Sequence, residues 1–337
     1  MRPTDLAIRL SEFLTQYLPQ QRGVSSNTIR AYRDSFKLLL TYCHQARGIA
    51  PEKLRVGHLD AAVIVDFLGY LEEVRHSSKP TRNQRLAAIH SFFRFLQSRS
   101  PEHILQCQQV LAVPFHRQEH RPPRHLEPDE LAAILDQPDR RTNPGRRDIV
   151  LLSVLYDTAA RVQELVDLRV GDVRLQAPAH VRLTGKGRKV RFVPLMSKTV
   201  KLINGYLQEN GLLTPDKNAQ HLFVNRTGQP LSCSGVRYVL GKYARLAASE
   251  HPGLSEGVSP HTFRHSKAMH LLQAGNPLII IRDLLGHVDV RTTEVYARAD
   301  VEMQRRAFEK AEPSAPHAAG PLPWQSNKSL LEWLESL

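Results

Sequence analysis

The chain has 337 residues, enough for two domains with a core in each, and 41% of them are hydrophobic. Lys and Arg number 46 against 33 Asp and Glu, a formal net charge of +13 that points to a polyanionic partner. Three scattered cysteines (Cys43, Cys107, Cys233) argue against a disulfide framework or a Cys-based zinc site, and the lack of a membrane-length apolar run or a signal-peptide core leads us to expect a reduced, cytoplasmic protein.

The first hundred residues read as a helical bundle. Leu6, Leu10, Phe13, Leu14 and Tyr17 recur at helical spacing, and a second helix is expected after the cap candidate Asn27, with Ile29, Tyr32, Phe36, Leu39 and Cys43 on one stripe. A third, after Asp60, carries Val63, Ile64, Phe67, Leu68 and Leu71. A fourth carries Leu86, Ile89, Phe93 and Leu96. Its interspersed Arg82, Arg85 and Arg94 are candidate DNA contacts, whereas the aromatic stripe reads as core.

Residues 112–128 break this pattern with Pro114, Pro122, Pro123 and Pro128, marking an extended connection between domains. His116, His120 and His125 fall here, but no carboxylate or thiol pattern accompanies them, so no metal is expected. Charge divides along the same lines. Residues 1–115 hold 15 basic and 9 acidic residues, 116–180 hold 10 and 11, and 181–310 hold 20 and 10. Two basic blocks around a neutral segment suit a protein that grips a duplex from two sides.

Beyond Glu127 the chain is mostly helical with one interruption. Val181-Arg182-Leu183 and Val190 through Val193 alternate around Gly185-Lys186-Gly187-Arg188-Lys189, the pattern of a β-hairpin. Helices are expected again near Ser197, Ser234 and Ser259. A further one opens at Asn276-Pro277 and closes at Gly286.

On a helix after Ser259, His261 and Arg264 share a face: one side chain exchanges protons near neutral pH, and the other is a fixed fork of donors matched to phosphate oxygens. Leu284-Leu285-Gly286-His287 sets a histidine just past a helix end, and Tyr296 follows nine residues later. With Asp157-Thr158-Ala159-Ala160-Arg161-Val162-Gln163-Glu164-Leu165 upstream and Lys186 on the hairpin, the chain resembles the tyrosine recombinase family of phage integrases and Xer recombinases. The resemblance covers about residues 5–311 and is strongest over 145–300. Ala159 departs from it, since the family usually has Gly two residues before the arginine.

The resemblance implies a mainly α fold with a small antiparallel sheet. A SAM-like, core-binding DNA-binding domain is expected over 1–111, a linker over 112–126, a catalytic domain over 127–311 and a tail over 312–337. It implies that Tyr296 attacks a phosphodiester to leave a 3′-phosphotyrosine and a free 5′-hydroxyl. Arg161 and Arg264 would clamp the non-bridging oxygens, Lys186 would protonate the leaving oxygen, His261 would exchange a proton with the tyrosine, and His287 would hydrogen-bond the phosphate. Lys189 is a rival to Lys186 on the same hairpin, and Arg188 and Lys189 are further candidate DNA contacts. Glu164 is read as support for Arg161, and His265 and His270 as structural.

Neither metal nor cofactor is implied, because the ester retains the energy of the broken bond. The implied partner is a duplex recombination site, held by four protomers that are dimers or monomers when free, with a second recombinase or accessory protein left open. Residues Val301–Ala311 are the candidate for a helix donated to a neighbouring protomer. Type IB topoisomerase chemistry and a catalytically silent DNA-binding protein are the rival readings.

Overall fold

The computed structural model describes residues 2–117, 124–255, 257–286 and 293. The chain divides into two compact units, Met1–His120 and Arg121–Leu337.

In the first unit, α1 (Asp5–Glu12) runs into a π-helical turn, Phe13–Gln21, and is followed by α2 (Ser26–Arg47), α3 (Ala61–Glu73), α4 (Lys79–Gln97) and α5 (Ile104–Leu111). The α2 cap is Ser25, whose hydroxyl accepts from the Thr28 N–H at 3.3 Å, so Asn27 lies within the helix. Asp60 caps α3 as expected, accepting from the Val63 N–H at 2.8 Å. The aromatic stripe is core: the fully buried Phe13 ring meets Tyr32 at 6.2 Å, Phe92 at 5.3 Å and Phe95 at 5.5 Å. At the end of the unit α4 holds the departing chain. Asn83 exchanges two hydrogen bonds with the His116 backbone (2.8 and 3.0 Å), and Arg82 donates to the Pro114 carbonyl at 3.2 Å.

The second unit is helical around a small sheet. It comprises α6 (Pro128–Asp136), α7 (Asn143–Thr158), α8 (Val162–Val166), β1 (Val173–Arg174), β2 (His180–Thr184), β3 (Val190–Pro194), α9 (Ser197–Glu209), α10 (Cys233–Ala247), α11 (Pro260–Gln273) and α12 (Leu278–Leu285). Every residue from Ile149 to Leu155 is buried, which makes α7 the central helix. The strands form one antiparallel sheet in the order β1-β2-β3, with Val181 opposite Val193 and Leu183 opposite Arg191. Ser259 caps α11 through a reciprocal pair with Thr262 (3.2 and 3.1 Å), and Pro277 precedes α12, whose last carbonyls turn at left-handed Gly286, φ 63°. Among the described residues no helix is long and apolar enough to cross a membrane, and no His, Cys, Asp and Glu cluster could hold a metal.

Candidate active site

The site is assembled at the end of α12, where helix geometry leaves carbonyls without partners. Three arginines from three elements supply the missing donors. Arg191 on β3 donates from Nε to the Leu284 carbonyl at 2.9 Å. Arg264 on α11 donates to Leu285 at 2.5 Å, and Arg161, the residue before α8, reaches Gly286 at 3.5 Å. The positive charges also complement the negative end of the helix dipole.

Arg264 is buried, 3% exposed, and its other nitrogen donates to the Ala159 carbonyl at 2.6 Å. That carbonyl is aimed by an unusual backbone: Ala159 ends α7 at φ 47°, ψ 33°, the left-handed conformation that glycine adopts cheaply. The departure noted in the sequence therefore falls on a residue whose backbone asks for glycine. Its side chain is fully buried in a small cluster with Ala268, Met269, Leu272, Ile281 and Leu285.

Arg161 is the more open of the pair, with 37% of its side chain exposed. Its backbone N–H and Nη1 each donate to the buried Glu164 carboxylate at 2.9 Å. Arg191 grips the same carboxylate from the other side, at 2.7 and 3.0 Å. Burial pushes the Glu164 carboxyl up, but the hydrogen bonds from Arg191 and Arg161 outweigh it and hold the group below the usual carboxylate range. Glu164 is thus a structural partner of Arg161, as read from the sequence.

The hairpin root lies against this pair. A Cβ on Gly185 would sit 3.0 Å from Glu164 Oε1, so only glycine passes without displacing the carboxylate. Lys186 follows at the hairpin tip, with a Gly185 N–H to Lys189 carbonyl bond of 2.8 Å closing the turn. The Lys186 side chain lies outside what is described, as do His287 and Tyr296 entirely.

His261 is exposed on the first turn of α11, its ring 6.3 Å from that of His265. Partial burial lowers its pKa, and the cations Arg264, Arg161 and Arg237 lower it further. It is therefore neutral at pH 7, the form that accepts a proton. His265, half-buried on the same helix, is pushed down to about 4 by burial first and then by His261, Arg264 and His125. His270 is structural, bridging the Tyr156 hydroxyl (2.8 Å) and the Leu126 carbonyl (2.9 Å).

The expected DNA contacts divide. Arg94 on α4 and Arg188 and Lys189 at the hairpin tip are exposed. Arg82 is instead 5% exposed and committed to Pro114 and Asn83, with Glu72 at 3.9 Å; Arg85 is half-buried, donating to the Ala31 carbonyl and the Ser35 hydroxyl. Two residues at the site escaped the sequence reading, Arg191 and Arg237. Arg191 alternates in phase with buried Val193, but Val190 and Phe192 made the opposite phase look equally apolar.

The fold is a helical unit followed by a helical unit with a three-stranded sheet, in which Arg161 and Arg264 donate to one helix end and His261 lies one turn from Arg264 on α11. The phage integrase family model matches residues 124–303, and the phage integrase N-terminal SAM-like domain matches residues 10–100. The chain belongs to the phage integrase family, the tyrosine-type site-specific DNA recombinases. It is 38% identical over 334 residues to the "Putative integrase/recombinase y4rC" of Sinorhizobium fredii, covering 98% of each chain. It is 32% identical to the tyrosine recombinase XerC of Pelotomaculum thermopropionicum, covering 91% of this chain and 99% of that one. Among solved structures, a Tn1549 transposon integrase in complex with a circular intermediate DNA shares the fold at TM-score 0.67 and 16% identity, covering 92% of this chain and 100% of the other. A XerH site-specific recombinase bound to a palindromic difH substrate shares it at TM-score 0.65 and 21% identity, covering 87% and 82%.

Proposed function

We propose that the chain cuts and rejoins duplex DNA at a recombination site through Tyr296. The phenol oxygen attacks the scissile phosphorus, the bond to the 5′ oxygen breaks, and a 3′-phosphotyrosine holds the strand until a 5′-hydroxyl reverses the step. The observation that carries this reading is the convergence of Arg161 and Arg264 on the end of α12, with His261 one turn from Arg264 on α11; α12 leads in sequence to His287 and Tyr296.

Each residue has work that its chemistry suits. Arg161 and Arg264 hold the non-bridging oxygens and offset the charge that grows on them in the transition state. His261, neutral at pH 7, takes the proton of Tyr296, whose unperturbed pKa near 10 would otherwise leave it a weak nucleophile. Lys186 gives a proton to the departing 5′ oxygen, and His287 hydrogen-bonds the phosphate. Arg94, Arg188 and Lys189 contact the backbone of the duplex, while Arg82 and Arg85 stiffen the first unit. The assembly is four protomers on two sites, with Val301–Ala311 exchanged between neighbours.

The test is incubation with a nicked suicide duplex, followed by denaturing electrophoresis. The wild-type chain forms a protein–DNA adduct and Tyr296→Phe forms none. An adduct that persists in Tyr296→Phe refutes the assignment.

A further inference from the structure

The Glu164 carboxylate has two guanidinium partners, and the division of labour between them is uneven. Arg191 takes both carboxylate oxygens in a parallel fork, at 2.7 and 3.0 Å, the strongest arrangement open to such a pair. Arg161 takes one oxygen with a single guanidinium nitrogen, at 2.9 Å, and the other with its backbone N–H. The side chains of Glu164 and Arg191 are 4% and 13% exposed, that of Arg161 37%. Close approach by glycine on both sides admits the buried pair: a Cβ on Gly185 would meet Glu164 Oε1 at 3.0 Å, and one on Gly286 would meet Arg191 Nη1 at 3.2 Å.

We propose that Arg191 is a positioning residue that absorbs the charge of Glu164 and thereby leaves the charge of Arg161 to the scissile phosphate. The proposal rests on the cleavage reaction set out above. A buried carboxylate without Arg191 keeps its charge only by recruiting the nearest cation into a full fork. That cation is Arg161, which then faces a phosphate as half of a neutral pair. With Arg191 present, one carboxylate is shared by two guanidiniums and a full positive charge remains. The third bond of Arg191, from Nε to the Leu284 carbonyl, fixes this arrangement to the same helix end that Arg161 and Arg264 hold.

The experiment uses the full chain and a nicked duplex recovered by covalent capture from sheared DNA of the source genome. The duplex is made with either a phosphodiester or an uncharged methylphosphonate at the scissile position. On the phosphodiester, Arg191→Met slows single-turnover cleavage by about tenfold to a hundredfold, with gel-shift affinity nearly unchanged. On the methylphosphonate, which has no charge for Arg161 to match, the gap between wild type and Arg191→Met closes to about threefold or less. Arg191→Met combined with Glu164→Gln, which removes the competing carboxylate, cleaves the phosphodiester faster than Arg191→Met alone. Arg191→Lys, which keeps the charge but not the fork, gives an intermediate loss and stands in on both substrates if Arg191→Met does not fold. An equal loss on the two substrates, or no loss, overturns the proposal. A wild-type chain that forms no adduct, or an adduct retained in Tyr296→Phe, overturns instead the reading beneath it.

Discussion

Ala159 shows how one residue balances two costs. Its left-handed backbone costs about 1 kcal/mol relative to glycine, while its buried methyl contributes about 0.8 kcal/mol. The two nearly cancel, so Ala159→Gly should change the free energy of denaturant unfolding by less than about 1 kcal/mol. Ala159→Val adds a branched carbon where both backbone and packing resist it, and should cost about 2 kcal/mol or more. His265 provides a pH dependence. Its folded pKa, about 4, lies below the ordinary value of 6.5, so the unfolded chain binds more protons between those limits. Stability is full above pH 6.5 and falls as pH drops toward 4. In thermal melts, His265→Gln should flatten that acid slope, and an unchanged slope would remove His265 from the account. The departure at Ala159 was legible in the sequence because one box had the wrong small residue. Arg191 was not, because a strand with apolar residues on both phases hides which face turns inward.

Among the elements, the end of α12 matters most, since three arginines depend on its carbonyls. Gly286→Ala puts a side chain at φ 63° and a Cβ 3.2 Å from Arg191. It should cost about 1 kcal/mol in denaturant unfolding and slow cleavage on the suicide duplex more than it weakens binding. Wild-type cleavage in this variant would show that the helix end does not set the arginines. Most elements could be read from periodicity and caps, with Asp60, Ser259 and Gly286 where expected. The misses have local causes. The short α5 buries only Cys107 and Val110 and turns Ile104 and Leu105 to solvent, too weak a stripe to stand out, so the first unit holds five α-helices among its described residues rather than four. At α2 the cap is Ser25, two residues before the expected Asn27, because its hydroxyl reaches the Thr28 N–H.

On the scale of the whole molecule, the two units have separate cores, one centred on the aromatic rings around Phe13 and one on α7. Phe13→Ala should destabilise the first unit by about 3–5 kcal/mol and leave amide exchange in α7 unchanged. Faster exchange in both would indicate a single cooperative unit. The length suggested two domains, the net charge a polyanionic partner, and the family resemblance the catalytic candidates. Side-chain commitments such as the burial of Arg82 depend on contacts with Pro114, far along the chain, and could not be read from its helical position. The account as a whole turns on the covalent link. The most direct measurement is digestion of the trapped protein–DNA adduct with trypsin and nuclease, followed by mass spectrometry of the nucleotide-bearing peptide. The account predicts a single modified peptide, residues 292–298, with the 3′-phosphate on Tyr296. A nucleotide on any other residue, or an adduct joined through a 5′-phosphate, would contradict it.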